Sequence, residues 1–535
     1  MPYQSSSKKN EPAGKNGQRT FVRNPDVDQF LANSACLVPP TPEEAQKITE
    51  DYIIWEEGDK SLPDYVVASD ASPYTEPLKG YYPSTQLGYV KNSMVIIEVK
   101  KFDKLRPTES NYVDPFKIAE LHRSGDSIAF TLPGCNIRYK NSTTVKDGFR
   151  LAVYEQLSDM RTSFTNDNYF NVVGTLLAID ENKVEIDICP SCGVESNFQF
   201  TKTHHIRKCP YCSEDVYITD SLRIHEQISD LGDNRSAITR FMNVVEHLII
   251  ASFIRMVGYT NPEQLSRIAF IMDGPLAIFG QPAKVHARLL KLYSKVSKHL
   301  ASKNLPMPLI IGIQKTGTVV DHAVSIAKYI ENGAFRIIDD EYRHRYIAAK
   351  SESSDNFGHE TYYGQDFIYK TRNGKVFAFA VVYPFESKNI ENFKSEDFSI
   401  TIDSQELKVE CLNEKLRMSL SSILNDPEKL IKILSIENGT ATLVDKKIIV
   451  HSKAGEGEAV KVKVSAKKIF ALQKIELEQY KPMLGRAMNL ISHFELELYE
   501  NAIIPIALAH RHASISLVPG GKVLDLLSKN GLKLT

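Results

Sequence analysis

The sequence has no surplus of charge: 65 Lys and Arg stand against 66 Asp and Glu, a formal net charge of −1 over 535 residues. That balance excludes an overall basic field, so any polyanion must be held by local patches. Long apolar runs are missing too. The nearest, "HLIIASFI" at 247–254, is too short to span a bilayer. The opening "MPYQSSSKKNEPAGKNGQRT" lacks an apolar signal core, so a cytoplasmic location is expected. Cysteine is scarce outside one cluster. Cys36, Cys135 and Cys411 are scattered and odd in number, which argues against a disulfide framework and for a reducing compartment. The remaining composition, 42% hydrophobic and 24% charged, is that of a globular chain, long enough for roughly two to four domains.

The clustered cysteines carry the clearest chemistry. Cys189-x2-Cys192 is separated by sixteen residues from Cys209-x2-Cys212. Each knuckle can aim two thiolates at one point, and two knuckles joined by a hairpin close a tetrahedral zinc site. Four sulfurs leave no open coordination position, so this Zn²⁺ is expected to be structural. A redox role is weaker, since paired knuckles explain both motifs at once. His204, His205, Arg207 and Lys208 decorate the hairpin; they could meet phosphate, but solvated surface is the simpler reading.

Along the chain, a helix is expected over 41–57, then a short strand ending at Asp70, a strand over 93–102 and a helix over 146–160. A long helical run at 236–256 leads to the strand "IAFIMD", which ends on Asp273 before Gly274-Pro275 turns the chain. Leu289, Leu292, Val296 and Leu300 have helical spacing over 283–303, and "PLIIGIQ" is the next strand. Strand, helix and strand at this spacing predict a parallel βαβ unit. Asp273 and Lys315 then share the C-terminal sheet edge, where open α/β sheets place their ligands. A hairpin with Asn373-Gly374 at its turn is expected over 367–385. Near its end the following β-rich stretch carries Lys461 and Lys463 on one strand face, with Lys467 and Lys468 after them; a solvated edge explains these better than a phosphate contact. The expected organisation is a disordered segment at 1–45, a core divided among 46–180, 219–385 and 481–535, a zinc ribbon at 181–218 and a β-rich insertion at 386–480.

Buried carboxylates need a cationic partner. Asp70 and Asp273 each follow an apolar strand, and each alone could be a turn former. Glu246 is harder to dismiss, because its helical neighbours Met242, Asn243, Ile249 and Ile250 form a mostly apolar face. Either an arginine such as Arg240 pairs with it, or it shares a divalent cation with the two aspartates. Three converging carboxylates suit Mg²⁺ or Mn²⁺ in phosphodiester cleavage. A competing set combines Asp70 with Glu98-x-Lys100, another nuclease pattern, and Glu155 is a third choice after Glu246 and Glu98.

The segments "VVASDAS", "RFMNVVEHLII", "IAFIMDGPLAIFG", "IIGIQKTG", "YYGQDFIYKTRNGKVFAF" and "IIPIALAHRHASIS" occur in an order that resembles the NurA nucleases. The resemblance spans roughly 60–385 and 480–520. It implies an α/β fold with an RNase H-like mixed sheet flanked by helices, interrupted here by the zinc ribbon and the β-rich insertion. It also implies Mn²⁺- or Mg²⁺-dependent degradation of DNA, a homodimer, and a HerA-like hexameric ATPase as partner, in DNA end processing or defence against foreign DNA. Carried over by position, Asp70, Glu246 and Asp273 would bind metal, His510 would assist proton transfer, and Lys315 would face the scissile phosphate. His512 is the less favoured histidine. Two departures stand out: Asp-Ala-Ser replaces the usual Asp-Gly-Ser, and a zinc ribbon separates the first two acids. The alternative is a zinc-ribbon nucleic-acid adaptor with an inactive core, which would bind DNA without divalent ions and never cut it.

The thiolate cluster gives a first test. Elemental analysis should find one zinc per chain, and Cys209→Ser should lower stability by opening the cage, because structural zinc contributes directly to folding. Native protein purified without zinc would contradict this.

Overall fold

The computed structural model describes residues 25–34, 38–55, 61–78, 82, 84–104, 125–180, 182–347, 361–385, 477–495 and 501–514, with strand segments between 399 and 464. The chain forms two compact units, one of residues 1–354, 360–383 and 480–535, the other of 355–359 and 384–479.

The larger unit is built on a nine-stranded mixed sheet flanked by helices. Its strands are β1 (Ile53–Ile54), β2 (Tyr65–Pro77), β3 (Gln86–Glu98), β4 (Gly125–Pro133), β9 (Ile268–Asp273), β10 (Leu309–Gln314), β11 (Ala334–Ile337), β12 (Gly364–Lys370) and β13 (Val376–Val382), in the order β1-β11-β12-β13-β10-β9-β2-β3-β4. β2, β9 and β10 run parallel at the centre, and every other pairing in the sheet is antiparallel. β9, β10 and β13 read as continuous apolar runs because both their faces are covered. Burying a side chain such as Phe270 completely contributes about 1.5–3 kcal/mol.

The helices of eight or more residues among the described residues are α1 (Pro25–Ala32), α2 (Pro42–Thr49), α3 (Val145–Ser158), α4 (Val172–Ile179), α5 (Arg235–Thr260), α6 (Val285–Ala301), α7 (Thr318–Ile326), α8 (Leu477–Phe494) and α9 (Ile504–Ala513). α5 packs on the sheet face bearing Phe130 and Phe270, with ring contacts from Phe241 at 5.4 Å and Phe253 at 5.9 Å. α8 sets Tyr480 against Phe367, at 5.6 Å, on the other face. An 18-residue window of α5 is apolar enough to cross a membrane by composition, against the expectation that no run would be. It is 78% buried within the protein, which accounts for its apolarity.

Several boundaries differ from expectation. The helix expected over 41–57 stops at Thr49. Thr41 and Glu44 form its capping box, and the β-branched pair Ile53-Ile54 joins the sheet edge against Phe335 and Ala334. α1 and most of the first turns of α2 occupy part of the 1–45 stretch expected to be disordered; residues 1–24 lie outside the described residues, as do Cys36 and Cys411. β3 ends at Glu98, and 99–103 turn helical. The strand at Asp70 does not end there. β2 continues to Pro77, paired throughout with β3, whereas its pairing with β9 stops at Ser69↔Met272. Beyond that rung β2 has β3 as its single partner among the described residues, an edge that can accommodate Pro73.

The cysteine knuckles close two small hairpins, β5 (Val184–Ile188) with β6 (Glu195–Phe200) and β7 (Ile206–Lys208) with β8 (Asp215–Tyr217). Arg150 of α3, almost completely buried, ties both to the core. It holds Asp220 through two hydrogen bonds, Nε–Oδ1 at 2.9 Å and Nη2–Oδ2 at 2.7 Å, and it donates to Asp147, to Ser191 inside the first knuckle and to the Asp215 carbonyl after the second. Lys146 adds a bond to the Pro190 carbonyl at 2.6 Å.

The second unit holds a four-stranded sheet, in the order β15 (Gln405–Lys408), β14 (Ser399–Ile402), β18 (Lys447–Ser452), β17 (Gly439–Val444), and the pair β16 (Leu434–Glu437) with β19 (Lys461–Val464). Lys461 and Lys463 alternate along β19 and so share a face; Lys467 and Lys468 lie outside the described residues.

Arg150 supplies a stability test. Arg150→Met leaves the buried Asp220 without its cation and should cost about 3–5 kcal/mol in urea unfolding. Loosened knuckles should also react faster with a thiol reagent in metal-free protein. Unchanged stability and thiol reactivity would contradict the role given to Arg150.

Candidate functional site

The site lies at the C-terminal edge of the three parallel strands. Asp273 is the last residue of β9 and aligns with Ile313 of β10. The turn after it depends on two glycines. Gly274 has φ +94°, and a Cβ on Gly312 would stand 2.4 Å from the Gly274 carbonyl, so only glycine lets the turn close over β10. The Gly274 N–H then donates to the Ile313 carbonyl at 2.8 Å. Asp70 follows the last paired rung between β2 and β9, so the two aspartates project side by side from one face. Buried Ala509 and Ala513 let α9 lie close over β2 and β3, which carries His510 to Asp70.

The side chains converge tightly. His510 Nδ1 lies 2.6 Å from Asp70 Oδ2. Lys315 Nζ sits 2.8 Å from Asp273 Oδ2 and 3.8 Å from Asp70 Oδ2. Ligand atoms of Asp70, Asp273 and His510 all fall within 4.8 Å of one another. Glu246 is not in that tight group. It approaches from α5, in the layer across the sheet, near enough for the charges of Asp70 and Asp273 to act on it. Its Oε1 is buried without a hydrogen-bond partner among the described residues. Arg240 does not pair with it; that guanidinium donates to the Phe279 carbonyl instead.

Electrostatics follow from this crowding. Burial pushes the Glu246 carboxyl well above its usual range, the neighbouring charges of Asp70 and Asp273 push it further, and Lys315 opposes the shift. Asp70 is raised as well, first by burial and then by Asp273, while Lys315 and the His510 hydrogen bond pull it down. Two carboxylates and an imidazole within reach of one ion, with a third carboxylate near enough to feel both charges, suit a hard divalent cation.

The rival acids lie elsewhere. Glu98 is opposite Tyr65, whereas Asp70 is opposite Ser93, so Glu98 stands about 17 Å along the strand from Asp70 at the usual rise. It precedes the helical turn at 99–103 and pairs with Lys101. Glu155 accepts from Tyr139 and Lys140. His512 is half-buried.

The sequence reading missed the supports of this edge. Gln314, beside Lys315, donates to Asp366 Oδ1 at 3.1 Å, and buried Arg343 donates to the other oxygen. His247, next to Glu246, bonds Tyr363 Oη at 2.6 Å and locks α5 to the chain entering β12. Burial lowers the His247 pKa to about 4, so it is neutral at ordinary pH. The segment "YYGQDF" holds Tyr363 and Asp366, but nothing in its pattern names their partners.

The four thiols also meet. Cys189 and Cys212 Sγ are 3.8 Å apart, Cys192 and Cys209 Sγ 3.7 Å, and all four lie within 4.8 Å of one another. The residue closing each knuckle is left-handed, Gly193 at φ +73° and Ser213 at φ +62°. Burial raises the Cys209 thiol, but the Cys212 and Tyr211 N–H groups and neighbouring thiols outweigh it and bring it to about 6. The other three thiols are raised, so one thiolate forms readily and a metal must draw off the remaining protons.

Comparison with solved structures finds a match to the crystal structure of the NurA nuclease from Sulfolobus solfataricus. It is 9% identical and covers 96% of this chain and 97% of that one, at a TM-score of 0.33. No family profile and no curated protein matches the chain. At this TM-score the functional reading rests on the site's own geometry.

Glu246 gives a pH-dependent test. Its pKa is higher folded than unfolded, so the folded state binds the extra proton and loses stability as pH rises above about 4.5. Glu246→Gln removes that penalty. In EDTA the variant should be more stable than wild type at neutral pH, with the difference shrinking as pH falls toward 4.5. Urea unfolding across pH checks this; a variant less stable at neutral pH would show that Glu246 is stabilised by a partner.

Proposed function

We propose that the protein is a metal-dependent DNA nuclease of NurA type with an RNase H-like core. The observation that carries this reading is the meeting of Asp70, Asp273 and His510, with Glu246 close enough to feel both aspartates and its buried Oε1 without a hydrogen-bond partner among the described residues. Asp70, Asp273 and Glu246, aided by His510, would hold Mg²⁺ or Mn²⁺. When bound, the cation supplies positive charge to the scissile phosphate and to the attacking water.

The chain's own groups supply the rest. Asp70, when ionised, accepts from His510 Nδ1–H. That fixes the ring and leaves Nε2 to take a proton from water or return one to the leaving oxygen. Lys315 offers an ammonium to a phosphate at the sheet edge. The Gln314–Asp366–Arg343 network holds the end of β10 where Lys315 begins. The four cysteines would hold a structural Zn²⁺, the zinc ribbon and β-rich unit being insertions in the core. By the sequence resemblance, the protein acts on DNA as a homodimer beside a HerA-like hexameric ATPase, in end processing or in defence against foreign DNA.

Asp273→Asn tests the reading. It keeps the shape and removes a hard anionic ligand, so Mn²⁺-dependent cleavage of end-labelled DNA should fall by more than about a hundredfold, since changes behind a metal's ligands already cost 10–100-fold. DNA affinity in EDTA should stay the same. Wild-type cleavage by the variant would overturn the metal assignment, and wild-type protein that binds DNA yet cuts with no metal would favour the adaptor.

A further inference from the structure

Lys315 sits where a cation is wanted. Its ammonium lies 2.8 Å from Asp273 Oδ2 and 3.8 Å from Asp70 Oδ2, with the side chain only 21% exposed. The backbone beneath is fixed on both sides. Gln314 is held by Asp366, and the Lys315 carbonyl accepts from Asn501 at 3.5 Å. Gly317, at φ +108°, turns the chain away into α7. A fixed backbone with a flexible four-carbon stem lets the ammonium move while its anchor stays in place.

We infer that Lys315 is a resident counter-ion that exchanges with the divalent cation, and that a DNA backbone phosphate draws it out of the site, so that metal and DNA bind cooperatively. This deepens the nuclease reading and rests on it. An ammonium hydrogen-bonded to Asp273 repels a divalent ion approaching that carboxylate, so the ion must displace it. Without either cation, Asp70 and Asp273 repel each other in a buried setting. A phosphate offers the displaced ammonium a new anionic partner. DNA thus favours the lysine-out state that metal also favours, and by linkage metal favours DNA to the same extent.

The test uses the full chain and reads Mn²⁺ binding by electron paramagnetic resonance, without reference to cleavage. Lys315→Met should bind Mn²⁺ at least about tenfold more tightly than wild type, while its melting temperature in EDTA drops and is restored by Mn²⁺. A phosphorothioate oligonucleotide, charged but slowly cut, should tighten Mn²⁺ binding to wild type and leave the variant almost unchanged. Lys315→Arg, which keeps the charge, should resemble wild type; Lys315→Gln repeats the measurement should the methionine variant fold poorly. Equal or weaker Mn²⁺ binding by the neutral variants would overturn the exchange, as would an oligonucleotide effect of the same size in them. Absence of Mn²⁺ binding by every protein, wild type included, would instead remove the metal reading on which the exchange rests.

Discussion

Carboxylates brought together in a poorly hydrated place repel one another and resist ionisation, and much of this protein's central architecture holds such a group in place. Asp70, Asp273 and Glu246 come from two strands and a helix, far apart in sequence. Burial and mutual repulsion raise Asp70 and Glu246. A fold keeps that arrangement only where compensation exists. Here Lys315 and His510 provide part of it, and Glu246 Oε1 receives none from the described residues.

The means of gathering them is a break in pairing. β2 outruns β9, so Asp70 stands beside Asp273 at the point where the parallel ladder stops. Gly312 admits the turn that aims Asp273, and buried alanines admit the helix that brings His510. Away from this edge, Arg150 plays a similar part for the cysteine hairpins: one buried guanidinium, bonded to Asp220, Ser191 and the Asp215 carbonyl as well as to Asp147 of its own helix, docks them on α3. In both places a buried charge is tolerated because its partners are arranged around it.

Much of the central fold was legible in the residues. The continuous apolar runs of β9 and β10, with a helical repeat between them, predict the parallel βαβ unit that the register shows, and the thiol spacing predicts the four-sulfur cluster. The run before "ASPY" reads as a short strand ending at Asp70, yet β2 continues to Pro77 with β3 as its one partner among the described residues, an edge that tolerates Pro73. α2 is shorter than its local pattern suggests because the pairing of Ile53 and Ile54 with β11 is a tertiary matter. Local pattern singled out Glu246, an acid on an apolar face, but could not choose between Arg240 and a cation. Only the folded positions show Arg240 turned to Phe279. Asp366 and His247 escaped notice for the same reason, since each has its meaning in a partner far away in the chain.

The central claim is that these acids form a divalent-cation site. The most direct measurement is anomalous X-ray scattering at the manganese edge from crystals soaked in Mn²⁺. The account predicts an anomalous peak among Asp70, Asp273 and His510, beside Glu246, with Lys315 Nζ withdrawn from Asp273. A well-ordered site with no peak there, and Lys315 still bound to Asp273, would contradict it.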